Sequence, residues 1–390
     1  MAVRLGLERL LDGPDRALIA GRRVGLVSNP ASVDSGLVHA SDRLFGTGDW
    51  TLTTLFGPQH GFHSDLQENM IESPHARDAK RRLPVYSLYS ETREPTAEML
   101  RDVDVLVVDL QDVGTRIYTY VYTLANCLRA ARTHNLPVVV CDRPNPIGGE
   151  AVEGALLDPA FASFVGQFPI PMRHGLTIGE CARLFNEHFG LGARVDVVPM
   201  DGWRRGMYFD ATGLPWVLPS PNIPTLDTAI VYPGAVLFEG TQLSEGRGTT
   251  RPFELVGAPW IDGERFADAM NARGLPGVRF RAAIFEPTFH KHARTSCGGC
   301  QIHVTDRAAF RPYRTGVELI DEFHAEAPST PLWRDPPYEY EHTRPPIDIL
   351  YGSDRLRHAI DAGAGAAAVM ADWARDEDAF RATRRPYLLY

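Results

Sequence analysis

Short apolar runs bounded by turn residues recur through the first 150 positions: RVGLVSN at 23 to 29, WTLTTLFG at 50 to 57, LPVYSLY at 83 to 89, DVLVVDL at 104 to 110 and LPVVVCD at 136 to 142. Such runs predict buried strands. Between several of them the apolar positions switch to helical spacing, most clearly at 118 to 134, where Tyr118, Tyr122, Leu124, Ala125 and Leu128 fall mostly on one face. Strand and helix in alternation predict an α/β fold with a Rossmann-like, mostly parallel sheet covered on both sides.

The pattern changes after residue 212. GLPWVLPSPNIPTLDTAIVYPG (213 to 234) is dense in proline and has no long periodic segment, so it reads as an ordered, wrapping connection. Beyond it the spacing predicts a helix at 262 to 273, strands at 278 to 285 and 299 to 305, a helix at 314 to 326 and final helices at 353 to 361 and 366 to 380. With 390 residues the chain exceeds one ordinary core. The expected division is a Rossmann-like domain at 1 to 234 and a smaller α+β domain at 235 to 390.

Composition narrows the function. Hydrophobic residues at 44% and charged residues at 23% suit a water-soluble globular protein. The net charge of -9 argues against a nucleic-acid footprint, which wants Lys and Arg clustered on one face. Small polar substrates fit better. Positive charge is almost all arginine, with lysine only at Lys80 and Lys291, a bias that reads as codon usage. No stretch approaches the roughly 20 apolar residues of a membrane helix. MAVRLGLERLLDG shows no continuous apolar region or small-residue cleavage site of a secretory signal. Five cysteines are an odd, sparse set that suits a reducing compartment, so a cytoplasmic location is expected, with oligomeric state left open.

In a parallel sheet ligands bind beyond the carboxyl ends of the strands. There the chain places Ser28-Asn29-Pro30, Gln59-His60, then Asp109, Gln111 and Asp112, and Asp142-Arg143-Pro144-Asn145. Singly each reads as a cap or turn residue; together they converge on one rim. No G-x-G-x-x-G follows the first strand and no P-loop occurs, so no nucleotide cofactor is expected.

Three further constellations carry chemistry. FEGTQLSEGRGTTRPFE (238 to 254) sets Glu239, Glu245, Arg247, Arg251 and Glu254 among glycines that permit close backbone approach. VVDLQDVGTRIYTY (107 to 120) puts Asp109 and Asp112 after the most apolar strand, followed by Arg116, Tyr118 and Tyr120. A carboxyl at the edge of an apolar sheet can carry the raised pKa of a general acid, while a helix N-terminus pushes the other way, so Asp112 reads equally as a capping residue. FHKHARTSCGGCQIH (289 to 303) holds His290, His292, Cys297, Cys300 and His303, but one C-x-x-C without a second pair reads better as structure than as zinc.

VSNPASVD, FGPQHGF, VYSLY, DLQDVGTRIYTYVYTL, DRPNPIGG, VEG, PMRHGLTIGE, PSPNIPTLDTAIVYPG and FEGTQLSEGRGTTRPFE, in this order, resemble the exo-β-N-acetylmuramidases of the NamZ type along nearly the whole chain. The resemblance implies an active site in the cleft between the two domains. It implies release of N-acetylmuramic acid from the non-reducing end of peptidoglycan fragments such as MurNAc-β-1,4-GlcNAc. Such hydrolysis needs two carboxyl groups, one with a raised pKa. Glu245, Glu239 and Asp112 are the carboxyl candidates, with His60 as a further acid or base. The lactyl carboxylate of MurNAc wants an arginine fork, for which Arg116, Arg143 and Arg247 are candidates. Asn29, Gln59, Tyr118, Asn145 and Asn222 complete the expected sugar contacts.

One position departs from the family. Many relatives read P-E-H-G-F where this chain reads PQHGF, and the glutamate is their leading catalytic candidate. Gln59 cannot supply an acid's proton. Either the acid lies elsewhere or the protein binds the sugar without cleaving it. The polar character of the following segment, with Asp65, Glu68 and Asn69, and the acidic loop around Glu239 and Glu245 favour a working hydrolase. A sugar-binding protein and a metal-dependent hydrolase or deacetylase built on the Cys297 to His303 cluster are the rival classes.

Overall fold

The computed structural model describes residues 3–68 and 70–390; Met1, Ala2 and Asn69 lie outside the described residues. Seven strands form the larger sheet: β1 (Arg23–Ser28), β2 (Thr51–Gly57), β3 (Ala76–Arg77), β4 (Pro84–Ser87), β5 (Val105–Asp109), β6 (Pro137–Cys141) and β7 (Arg194–Val198). They are ordered β3-β4-β2-β1-β5-β6-β7, and every pairing is parallel except that of the two-residue β3 with β4. β5 is buried at every position, as a strand covered on both faces must be. Because the strands run the same way, Ser28, Gly57, Asp109 and Cys141 end on one rim.

The helix Tyr120–Thr133 is buried along nearly its whole length. Its N-cap residue, Thr119, makes no capping bond with its side chain, which is turned to other use in the site. Strand β7 was not foreseen, since RVDVV is an edge strand with two exposed and two half-buried positions rather than a continuous apolar run.

The smaller body is an antiparallel sheet of β8 (Leu255–Ala258), β9 (Val278–Phe285) and β10 (Cys297–Val304), ordered β8-β10-β9. Helix Gly263–Ala272 covers it, and helix Pro312–Glu326 packs on that helix, with Phe266 stacked on Phe323 at a ring-centroid distance of 3.9 Å. Asp262 caps the first of these helices by accepting from the amides of Glu264 and Arg265. The expected final helix at 366 to 380 is two, Gly365–Val369 and Trp373–Arg384.

The proline-dense segment is only half irregular. Thr225 caps a helix, Leu226–Ala235, that carries Pro233 inside it. This helix crosses residue 234 and packs on Pro312–Glu326 where Gly234 faces Gly316, and a methyl group at either glycine would strike the other helix's backbone. The two bodies also share one apolar cluster, which runs from Leu106 and Val108 through Tyr232 and Phe238 to Tyr338 and Tyr351. Arg116 pins them together: fully buried, it donates to Ala155 O, Ile170 O, Leu350 O and Tyr351 O. Its guanidinium is spent on backbone carbonyls, which corrects the expectation that it presents a fork to substrate.

Candidate active site

A pocket of ≈ 460 Å³ lies where the rim of the larger sheet meets the smaller body. The loop after β2 brings Gln59 and His60, the turn after β5 brings Tyr118 and Thr119, and residues 220 to 223 bring Ser220 and Asn222. From the other side come Tyr232, Glu239, Arg247, Tyr338 and Glu339. The turn at Gly57 is tight, since a Cβ there would sit 2.6 Å from Phe62 N. His60 follows at φ 71, a left-handed conformation that costs a non-glycine residue about 1–2 kcal/mol.

Gln59 is held at both ends. Its Oε1 accepts from Thr119 Oγ1 at 2.8 Å, so its Nε2 faces Glu339 and donates to Oε1 at 3.2 Å. Tyr89 OH donates to the other oxygen of Glu339 at 2.6 Å. Burial pushes the Glu339 carboxyl up to about 7, and the charge of Glu239 adds to this while the Tyr89 and Gln59 donors pull the other way. A carboxyl that titrates near neutrality can give and retrieve a proton.

Opposite it, Glu239 accepts from Arg247 Nη2 at 2.7 Å and from Tyr338 OH at 2.6 Å. Arg247 lines the pocket and stacks over Phe253 at 5.0 Å, and its buried Nη1 has no hydrogen-bond partner. Behind it stands Glu245, fully buried, with Lys291 Nζ at 2.8 Å, His290 Nδ1 at 3.2 Å and Arg247 Nε at 3.5 Å. Burial alone would raise the Glu245 carboxyl, but Lys291, His290 and Arg247 outweigh it and hold it well below the usual carboxylate range. Glu245 is therefore an anion that braces Arg247, and it does not line the pocket.

His60 is half-buried, and desolvation with the nearby Arg247 charge pushes its pKa down to about 4. Its Nδ1 lies 2.9 Å from Leu66 O; a carbonyl only accepts, so Nδ1 carries the hydrogen and Nε2 is left as an acceptor.

Several expected contacts serve the scaffold instead. Asn29, at the end of β1, donates to Gln111 O and Pro219 O and accepts from Gln111 N and Ser32 Oγ. Arg143 forks onto Asp109 at 2.6 and 2.8 Å and lines a separate cavity of ≈ 320 Å³. Asn145 joins Leu176 O to Ile147 N. Asp112 accepts from Gly114 N at 2.6 Å and lies outside the pocket; burial pushes it up to about 7, with His174 Nε2 3.9 Å away. Asn222 does line the pocket and donates to Gln67 O at 2.7 Å.

Glu339 carried no sequence signal. It lies in PPYEYE, a segment without periodicity, 280 residues from its partner Gln59. Among the described residues no three His, Cys, Asp or Glu come together as a metal-holding group. Cys297 and Cys300 run along β10, where a spacing of three turns them to opposite faces, and His292 is bonded to Gln242 O. All five cysteines are buried and unpaired.

Models of the exo-β-N-acetylmuramidase NamZ N-terminal and C-terminal domains match residues 24–227 and 230–390. The peptidoglycan β-N-acetylmuramidase NamZ of Bacillus subtilis (strain 168) is 46% identical over 389 residues, covering 100% of this chain and 91% of the relative. Two crystal structures of DUF1343 family proteins from Bacteroides fragilis superpose along the whole chain. One has a TM-score of 0.90 at 35% identity and the other 0.79 at 28%, each covering 100% of this chain and 99% of its own. With both family models matched in sequence and the fold shared end to end, the chain belongs to the exo-β-N-acetylmuramidase NamZ family.

Proposed function

We propose that the protein is an exo-acting glycoside hydrolase that releases N-acetylmuramic acid from the non-reducing end of peptidoglycan saccharides such as MurNAc-β-1,4-GlcNAc. The observation that carries this reading is the pairing, in one pocket, of a carboxyl poised near pH 7 with a second carboxylate held by an arginine. Protonated Glu339 delivers its proton to the glycosidic oxygen as the bond to the anomeric carbon breaks. Glu239 supports the oxocarbenium-like centre, as nucleophile or as the base for water. Water adds hydroxyl to the anomeric carbon, and its remaining proton restores the acid. His60, neutral, accepts a hydrogen bond from the sugar through Nε2. Arg247, a cation in the pocket lining, is the group that pairs with the lactyl carboxylate, which a GlcNAc ring lacks.

The cleft between residues 1–234 and 235–390 serves as the site in this proposal, and its support is that Gln59 and Glu339 reach it from opposite sides. We place the reaction in the cytoplasm, on imported wall fragments, consistent with five unpaired cysteines. Recovery of the protein from culture supernatant would overturn that placement. The reaction itself is tested by mass spectrometry after incubation with MurNAc-GlcNAc and, separately, GlcNAc-GlcNAc. Free MurNAc from the first alone supports the proposal. Binding of the first without cleavage of either would make the chain a sugar-binding member of its family.

A further inference from the structure

If the pocket takes the terminal MurNAc ring, as the proposed function requires, everything on the reducing side of the bond must leave it. A second depression, ≈ 1220 Å³ and open to solvent, adjoins the pocket, and Asn222 lines both. At that junction Asn222 ties the loop after β2 to the segment preceding the helix Leu226–Ala235 through its bond to Gln67 O. One wall is the turn around Gly248, stiffened where the Thr288 amide and hydroxyl both donate to Gly248 O at 2.9 and 2.8 Å. The other wall is the end of the edge strand β9, where Ile284 is 83% exposed against 56% for Leu37, the next most exposed large apolar residue.

Charge decides what such a groove can hold. Among the described residues lining it Glu286 alone is charged; Thr249, Thr250 and Thr288 supply hydroxyls, and Ile284 and Phe289 supply apolar surface. A phosphate or a polyanion finds no cation among the described lining residues. A pyranose chain matches, since its hydroxyl and acetamido edges bond to the polar groups while its C–H faces lie on apolar ones.

We propose that this groove holds the chain of N-acetylated pyranoses on the reducing side of the cut, so that the site is built for glycans longer than the disaccharide. The test compares kcat/KM for MurNAc-GlcNAc and for the tetrasaccharide of the same repeat, in the native protein and in Ile284→Asp, whose thermal stability is followed in parallel. The native protein is expected to prefer the tetrasaccharide about tenfold, equivalent to about 1.4 kcal/mol of added transition-state binding. Ile284→Asp brings that ratio toward one. A native ratio of one, or a ratio unchanged in Ile284→Asp, overturns the inference. If neither saccharide is cleaved, the proposed reaction fails instead, and the same ratio read from calorimetric affinities still decides the groove.

Discussion

The Gln59 amide donates to the Glu339 carboxylate at 3.2 Å, within the pocket. Thr119 fixes the amide by bonding its oxygen, so the nitrogen has one direction left to point. A glutamate at position 59 would face Glu339 as a second carboxyl, and two carboxylates so close cannot both ionise. The amide thus leaves a single titrating carboxyl at this place, and the account assigns it the proton.

That assignment fixes the sign of the pH dependence. The acid must be protonated to act, so kcat/KM should hold below about 7 and fall as pH rises through that value. Initial rates between pH 5 and 9 check this. Activity undiminished at pH 9 would remove Glu339 from the role.

Gln59→Glu should move the same limb upward. The paired carboxyls would share one proton and hold it to higher pH than Glu339 does alone. The expected outcome is an active variant whose alkaline limb lies above that of the native protein. An unmoved limb would mean that Glu339 does not donate.

Arg247→Met tests recognition and stability together. It leaves Glu239 and Glu245 buried without their shared cation, which should cost about 3–5 kcal/mol of stability. Arg247→Lys keeps a charge but loses the fork, and should fold while favouring MurNAc-GlcNAc less strongly by KM. Melting curves and saturation kinetics separate the two effects.

Asp112 offers a control away from the pocket. Burial raises its pKa in the fold from 3.8 to about 7, so the folded state binds the extra proton and stability is lost as pH rises from about 4 to about 7. Asp112→Asn removes that loss. Its melting temperature, relative to the native protein, should gain more at pH 8 than at pH 4, with turnover near native. A collapse of turnover would return Asp112 to the catalytic candidates.

Much of the fold was legible because the central strands of a parallel sheet are apolar runs, continuous in β5 and β6 and interrupted in β1 and β2 only by glycine or threonine. The helix Leu226–Ala235 was hidden by Pro233 and by the prolines preceding it. At the site, strand ends and a glycine-rich loop pointed to Gln59, His60, Tyr118, Glu239 and Arg247, and the family resemblance to Asn222; all six line the pocket. Asn29, Arg143 and Asn145 have the same kind of position, yet their side chains satisfy nearby backbone or a buried aspartate. Which way a polar side chain turns at a strand end depends on orphaned groups brought by distant segments, and local pattern does not encode those. Glu339 meets Gln59 and Tyr89 only through the tertiary fold.

The most direct test of the account is the rate of MurNAc release from MurNAc-β-1,4-GlcNAc by the native protein and by Glu339→Gln, measured side by side at pH 6. The account predicts steady release by the native protein, despite Gln59, and a kcat lower by about 10²–10⁴ in the variant with KM little changed. An inert native protein, or a variant that releases MurNAc at the native rate, would contradict it.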